Sequence, residues 1–217
     1  MTTRIGLISD VHSSPDLLAE ALRIFAAEQV DEIICAGDIA GYYDTLLPTV
    51  LLLQQSGCKT IIGNHDQSWL AKNQGADNPE IRTYLERLPE TLELEIEGKR
   101  LFVVHANPPS EQHGGIKLRN RDGDLVEQRM QDWSERLAEY DYDVLIVGHT
   151  HQVYAEHLGK MLVINPGSVP FNYCCMILSL PNLEVKTFAL GDHEIVECWN
   201  FSMVFGQQQA APTSAST

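Results

Sequence analysis

An α/β fold is predicted for this chain, with a parallel sheet flanked by helices and a second sheet of short antiparallel strands packed on it. Three features predict it. Residues 1–66 alternate short apolar runs with amphipathic segments at helical spacing, in the order strand, helix, strand, helix, strand. The apolar runs stop abruptly at polar residues able to bind metal, bind phosphate or move a proton, which puts chemistry at the carboxyl edge of a sheet. Beyond Gly148-His149-Thr150-His151 the helical spacing gives way to short apolar runs separated by turn residues.

The first strand, Arg4 to Ser9, stops at Asp10-Val11-His12, where an extended backbone would aim the carboxylate and the imidazole to one face. Ser13-Ser14-Pro15-Asp16 starts a helix whose Leu17, Leu18, Ala21, Leu22 and Phe25 are there for packing. A second strand, Glu32 to Ala36, ends in Gly37-Asp38. Asp44 is placed as the cap of a helix carrying Leu46, Leu47, Val50, Leu51 and Leu53 on one side. The third run begins at Cys58 and ends in Gly63-Asn64-His65-Asp66, with Asp66 read as a helix cap.

Residues 67–89 turn polar, with a mobile turn at Gln74-Gly75-Ala76-Asp77 and a helix from Pro79 to Leu88. A hairpin follows, Glu90 to Ile96 and Arg100 to His105 around Glu97-Gly98-Lys99, and its second arm delivers His105. The loop up to Asp124 holds a local basic cluster, Lys117, Arg119 and Arg121, before a helix from about Leu125 to Glu139 and a last apolar strand, Val144 to Val147. That strand ends in Gly148-His149-Thr150-His151, a metal-ligand spacing of imidazoles. Val153 to His157, Met161 to Ile164, Tyr173 to Leu180, Glu184 to Leu190 and Glu194 to Phe201 read as the strands of the second sheet, with Asn165-Pro166-Gly167-Ser168 a tight turn between them. His113, His157 and His193 read as ordinary histidines, and Trp69, Trp133 and Trp199 as packing residues.

At 217 residues, 44% hydrophobic and 21% charged, the chain suits one domain, residues 1–205, with residues 206–217 a disordered tail low in apolar residues. A formal charge of -15 argues against a long nucleic acid as substrate, because such binding relies on clustered Lys and Arg. No apolar run spans a membrane and no leader precedes Ile5-Gly6-Leu7-Ile8, so a cytoplasmic location is expected. Five cysteines without a Cys-x-x-Cys fit small buried hydrophobes in a reducing compartment.

Asp10, His12, Asp38, Asn64, His105, His149 and His151 together supply three oxygen donors and four imidazoles. That is too many for one tetrahedral site and suits two adjacent metals sharing a carboxylate. Taken in order, Asp10-Val11-His12, Gly37-Asp38, Gly63-Asn64-His65-Asp66, His105 and Gly148-His149-Thr150-His151 resemble the signature of the calcineurin-like metallophosphoesterase superfamily. The Asn165-Pro166-Gly167-Ser168 turn is similar to one in its small bacterial and archaeal phosphodiesterases.

The resemblance implies two mixed β-sheets packed as a sandwich flanked by helices, a four-layer fold with metals at the carboxyl ends of strands. It implies that Asp10, His12, Asp38 and His151 hold one divalent transition-metal ion (Mn, Fe, Zn, Ni or Co) and that Asp38, Asn64, His105 and His149 hold the other. It implies hydrolysis of a small phosphate ester by a metal-bridging hydroxide, with His65, beside the ligand Asn64, placed to protonate the leaving oxygen.

Asp38-Ile39-Ala40-Gly41-Tyr42-Tyr43 lacks the arginines that phosphoprotein phosphatases of this superfamily place there, so a diester is preferred over a monoester dianion. Arg119 and Arg121 are the cations that could reverse this, leaving a phosphomonoesterase or nucleotide phosphatase as the alternative. Tyr42 and Tyr43 either stack on a nucleoside or pack. The rival classes are a nuclease, disfavoured by charge, and a non-catalytic scaffold such as the retromer subunit of this fold, disfavoured by the complete ligand set.

Overall fold

The computed structural model describes residues 2–74 and 78–199. Its first half is the expected alternation: β1 (Thr3–Ile8), α1 (Pro15–Ala27), β2 (Glu32–Cys35), α2 (Leu46–Ser56), β3 (Lys59–Thr60), α3 (Asn64–Lys72) and α4 (Pro79–Leu85). The second half runs β4 (Thr91–Ile96), β5 (Lys99–Val104), α5 (Glu127–Leu137), β6 (Val144–Ile146), β7 (Val153–Leu158), β8 (Met161–Pro166), α6 (Val169–Asn172), β9 (Cys174–Leu180) and β10 (Glu184–Ala189).

Two five-stranded mixed sheets result, in the orders β10-β9-β1-β2-β3 and β4-β5-β6-β8-β7. β1, β2 and β3 run parallel, as do β5, β6 and β8. The late strands therefore do not form a sheet of their own. β9 pairs antiparallel with β1, while β8 pairs parallel with β6, so the late strands complete both sheets. Periodicity reports only that a residue is half-buried or fully buried; which edge a strand joins is a long-range choice it does not encode.

Alternation along each strand builds the layers. Leu101 and Val103 of β5, Val144 and Ile146 of β6, and Leu162 and Ile164 of β8 point into a core shared with Ile5, Leu7 and Ile34 of the other sheet. The intervening Phe102, Val104, Leu145 and Val163 face outward onto Leu137 of α5. On the opposite face Ile8, Cys35, Cys175 and Ile177 pack beneath Leu18 and Phe25 of α1 and Val50 and Leu53 of α2. Cys174 and Cys175 accordingly enter different cores, and all five cysteines are free thiols.

Several local expectations are corrected. α2 starts after Thr45, not Asp44, and the Thr45 hydroxyl instead donates to the Ser13 carbonyl. The segment from Glu194 forms no ladder within the described residues, contributing one bridge between Cys198 and Gln152. The chain tail, and Gly75, Ala76 and Asp77 of the turn called mobile, lie outside the described residues. No helix among the described residues is long and apolar enough to cross a membrane.

Candidate metal centre

The tips of β1, β2 and β6, the start of α3 and the end of β5 meet at one edge of the two sheets. They do so by leaving the strand conformation. Asp10, His12 and Asp38 have φ of 50, 45 and 55°, and His149 and His151 have 65 and 48°. Left-handed backbone in non-glycine residues costs on the order of 1 kcal/mol or more each, and persists only where surrounding bonds enforce it. Here Asp10, His12 and Ser13 donate their N–H groups to the carbonyls of Gly37, Asp38 and Ile39 at 2.9, 3.0 and 2.7 Å. The first two tips thus brace one another beyond the end of the ladder.

The glycines in the motifs permit close approach. A Cβ on Gly63 would lie 2.1 Å from Asp38 Oδ1, and one on Gly148 would lie 2.0 Å from Ser9 Oγ and 2.7 Å from Asp10 Oδ2. Gly63 lets the third tip press against Asp38. Gly148 lets the last tip sit on Asp10, whose carboxylate accepts the His149 N–H at 3.0 Å.

All seven candidate ligands come together, in two groups. Asp10, His12 and His151 form one: the Nε2 atoms of His12 and His151 are 3.1 Å apart, and Asp10 Oδ1 is 3.3 Å from His151 and 3.8 Å from His12. Asp38, His105 and His149 form the other, with Asn64 Oδ1 3.0 Å from His105 Nε2 and 2.9 Å from His149 Nδ1. Asp38 also belongs to a third cluster with His12 and His65, so it sits between the two groups.

The donor chemistry fits cations. His12 Nδ1 and His105 Nδ1 face the carbonyl oxygens of Ala40 and Ala36 at 3.1 and 2.7 Å, and a carbonyl only accepts. Those nitrogens carry a hydrogen, so each ring, once neutral, has its Nε2 lone pair aimed at other acceptors. Lone pairs facing lone pairs and carboxylates in a buried pocket are the arrangement a divalent ion resolves.

The charges agree with the grouping. Burial alone would raise the Asp10 carboxyl, but His151, with His105 and His12, holds it well below the usual carboxylate range. Asp38 is likewise lowered against its burial, chiefly by His105. His105 is driven down by burial and up, more strongly, by Asp38, reaching about 10. His12 and His149 fall to about 4 through burial. His105 would have to give up its Nε2 proton to serve as a ligand in the second group.

Around this floor, His65 stacks edge-on against His12 at 4.9 Å and donates its backbone N–H to Asp38 Oδ1 at 2.8 Å. Asp66 is not the helix cap expected, because α3 begins at Asn64 with Gly63 in the capping position; buried in the first turn, it accepts the N–H groups of Ala40 and Gly63 at 2.7 and 2.9 Å and so ties two tips together. Burial and the nearby Asp38 push its carboxyl up to about 7.

Tyr42 packs on His12, at 4.7 Å between ring centroids, and lines the cavity above the floor, whereas Tyr43 lines a neighbouring one with Trp69. Arg119, Arg121 and Lys117 line the same cavity as the floor. His157 and His193 lie elsewhere, His193 stacking on Tyr173 at 4.0 Å.

Sequence reasoning passed over several participants. His113 approaches the His149 ring at 6.0 Å, and Trp199 lines the cavity while stacking on Phe171 at 4.3 Å. The turn called merely tight is a brace: Ser168 Oγ donates to the Asp10 carbonyl at 2.7 Å, Asn165 Nδ2 to the Gly148 carbonyl at 3.0 Å, and Asn172 Nδ2 to the His151 carbonyl at 3.0 Å. A run of Asn, Ser and Asn after a metal motif was the available signal.

The class these features define is a four-layer α/β protein with paired metal-ligand clusters on its strand tips. The chain belongs to the calcineurin-like phosphoesterase superfamily, whose domain matches residues 3–180. It is 31% identical over 166 residues to a probable metallophosphoesterase of Methanothermobacter thermautotrophicus, covering 76% of each chain. It is 24% identical over 189 residues to a phosphodiesterase of Methanocaldococcus jannaschii, covering 84% of this chain and 91% of that one. The fold superposes with a TM-score of 0.66 on a metallophosphoesterase from Sphaerobacter thermophilus, at 22% identity, covering 88% of this chain and 90% of the other.

Proposed function

We propose that this chain is a dinuclear metal-dependent phosphodiesterase acting on a small phosphate diester. The observation that carries the reading is Asp38 lying between two donor groups, each with a carboxylate and histidines. Asp10, His12, Asp38 and His151 would hold one ion, and Asp38, Asn64, His105 and His149 the other. The mixed nitrogen and oxygen donors suit a transition metal such as manganese, iron or zinc. When bound, such ions supply Lewis acidity, acidifying water and neutralising phosphoryl charge.

The chain's own groups do the rest. Asn64 contributes a neutral oxygen, which limits negative charge where an anionic phosphate must bind. His65, packed beside His12 and bordering the cavity, donates a proton to the departing oxygen. The preference for a diester rests on the stretch from Asp38 to Tyr43, which brings no cation to the floor. A phosphomonoesterase is the second reading, and the cationic flank of the cavity favours it.

Turnover of bis-(4-nitrophenyl) phosphate and 4-nitrophenyl phosphate, after chelation and metal add-back, tests both. Activity that vanishes with chelator, returns with Mn²⁺ and has the higher kcat/KM on the diester is the expected outcome. A better monoester would overturn the diester assignment, and full activity in excess chelator would overturn the metal mechanism.

A further inference from the structure

The cavity over the metal-ligand floor has a volume of about 440 Å³, in the range that encloses whole small molecules and well beyond what one phosphoryl group fills. Its lining is unlike the rest of the chain. The sequence holds 30 acidic and 15 basic residues, yet this cavity is lined by Lys117, Arg119, Arg121 and Arg129 against Asp38 alone.

The basic side is a built wall. Gln152, buried and next in sequence to His151, accepts the N–H groups of Leu118 and Arg119 at 2.9 Å each, and its amide donates to the Arg119 carbonyl at 3.1 Å. Arg119 donates to the Val153 and Gly123 carbonyls and pairs with Glu197 at 2.8 Å. Asn120 closes the loop by accepting the N–H groups of Asp122 and Asp124 at 2.9 Å each. Arg129 donates to the Arg119 carbonyl. Arg119 and Arg129 are thus engaged in holding the loop. Lys117 and Arg121 are exposed at the cavity and have no carboxylate partner among the described residues.

Neither cation pairs with a floor carboxylate among the described residues. The dominant influences on Asp10 and Asp38 are their own burial and the neighbouring histidines, with Asp10 also acting on Asp38, and none is a lysine or arginine. No hydrogen bond or ion pair joins the wall to the seven floor residues among the described residues. Their charge is available to a part of the substrate remote from the scissile phosphate. A guanidinium and an ammonium carried on one braced loop suit the oxygens of a phosphate group.

We propose that the substrate carries a second phosphate on the portion away from the scissile bond, and that Lys117 and Arg121, on the wall that Gln152 and Arg119 hold to the His151 tip, bind it. The inference rests on the phosphoesterase reading for its scissile group and adds a substrate class to it: a small phosphate diester bearing a further phosphate. Tyr42 and Trp199 line the same cavity, so a nucleotide is the apt probe.

The test compares thymidine 5′-(4-nitrophenyl phosphate) with its 3′-phosphorylated counterpart, on the metal-loaded full chain. The 3′-phosphate should lower KM by about tenfold or more, the scale of a charge-assisted contact, and added salt should erode the preference. The double variant Lys117→Ala/Arg121→Ala should bring the ratio close to one, while Lys186→Ala, a cation on a different cavity, should leave it as in the wild type. Equal KM values for the two esters in the wild type, or a preference that survives the double variant, would overturn the proposal.

Calorimetric binding of thymidine 3′,5′-bisphosphate against thymidine 5′-monophosphate gives a readout without catalysis. Tighter binding of the bisphosphate, lost in the double variant, supports the second-phosphate site. Equal binding refutes it. If neither ester is turned over with metal present, the phosphoesterase reading fails and the binding comparison still decides the site.

Discussion

Asp66→Ala is the substitution whose consequences follow most directly from the geometry. The wild-type carboxylate accepts the buried N–H groups of Ala40 and Gly63, at 2.7 and 2.9 Å. Alanine leaves both without a partner, at about 1–3 kcal/mol each, so the fold should lose about 2–6 kcal/mol. For a chain of this size that is a fall in melting temperature of at least about 4 °C. Two further effects accompany it. The Ala40 carbonyl faces His12 Nδ1, and Gly63 leads into Asn64, so metal affinity should drop about 10–100-fold, as when outer partners of a ligand are removed.

The sign of the pH dependence also follows. A carboxyl raised from 3.8 to about 7 by burial and Asp38 binds its proton more tightly folded than unfolded. In the chelated protein, its ionisation therefore costs stability as pH rises from about 4 through 7. The deficit of the variant should be larger near pH 5 than near pH 8. Thermal melts of both proteins, chelated and metal-loaded, across that range measure it. A melting temperature within about 2 °C of wild type, together with unchanged metal content, would refute the role given to Asp66.

Asp38→Asn should lose both ions, since Asp38 serves both donor groups; elemental analysis finding two ions still bound would exclude a bridging role. His65→Asn should slow esters with alkyl or nucleoside leaving groups by ~10²–10⁴ and nitrophenyl esters far less, with metal content intact. Equal losses on both substrate types would make His65 a stabiliser of phosphoryl charge. Loading metal into the chelated protein at pH 8 should release about one proton, because His105 is pushed up to about 10 and must be neutral to coordinate. Calorimetry in buffers of different ionisation enthalpy checks this, and zero release would mean that His105 is not protonated in the metal-free state.

The layers were legible because burial has a period. Val144-Leu145-Ile146-Val147 reads as a strand buried on both faces, and it is one: Val144 and Ile146 enter the inter-sheet core, Leu145 and Val147 the core under α5. What periodicity lacks is pairing. Nothing in the run from Cys174 to Leu180 says that it will lie antiparallel to β1, since that choice depends on the register of residues 169 to 177 positions apart in sequence. The absence of a ladder near Glu194 among the described residues has a related cause: alternation is present, but its backbone bonds to His151, Val153 and Asn172 flank a single bridge at Gln152, and one bridge does not make a ladder.

At the site, the donors were legible and their aim was not. An extended His149-Thr150-His151 would send both imidazoles to one metal. The left-handed φ at each histidine sends them to different groups, His149 towards Asn64 and His151 towards Asp10. Such backbone is costly for a histidine and is sustained by bonds from distant segments. Asn165 holds the Gly148 carbonyl, Asn172 holds the His151 carbonyl, and Ser168 holds that of Asp10. Side chains that donate to a carbonyl across more than a dozen residues leave no periodic trace, so the segment after the last histidine looked chemically silent. Gln152 acts in the same way: its side chain ties the basic loop to the His151 tip, so the second-phosphate contacts proposed for Lys117 and Arg121 are mechanically continuous with one donor group. A substitution that frees that loop therefore acts on where the second phosphate can sit, while the donors on the strand tips keep their own braces.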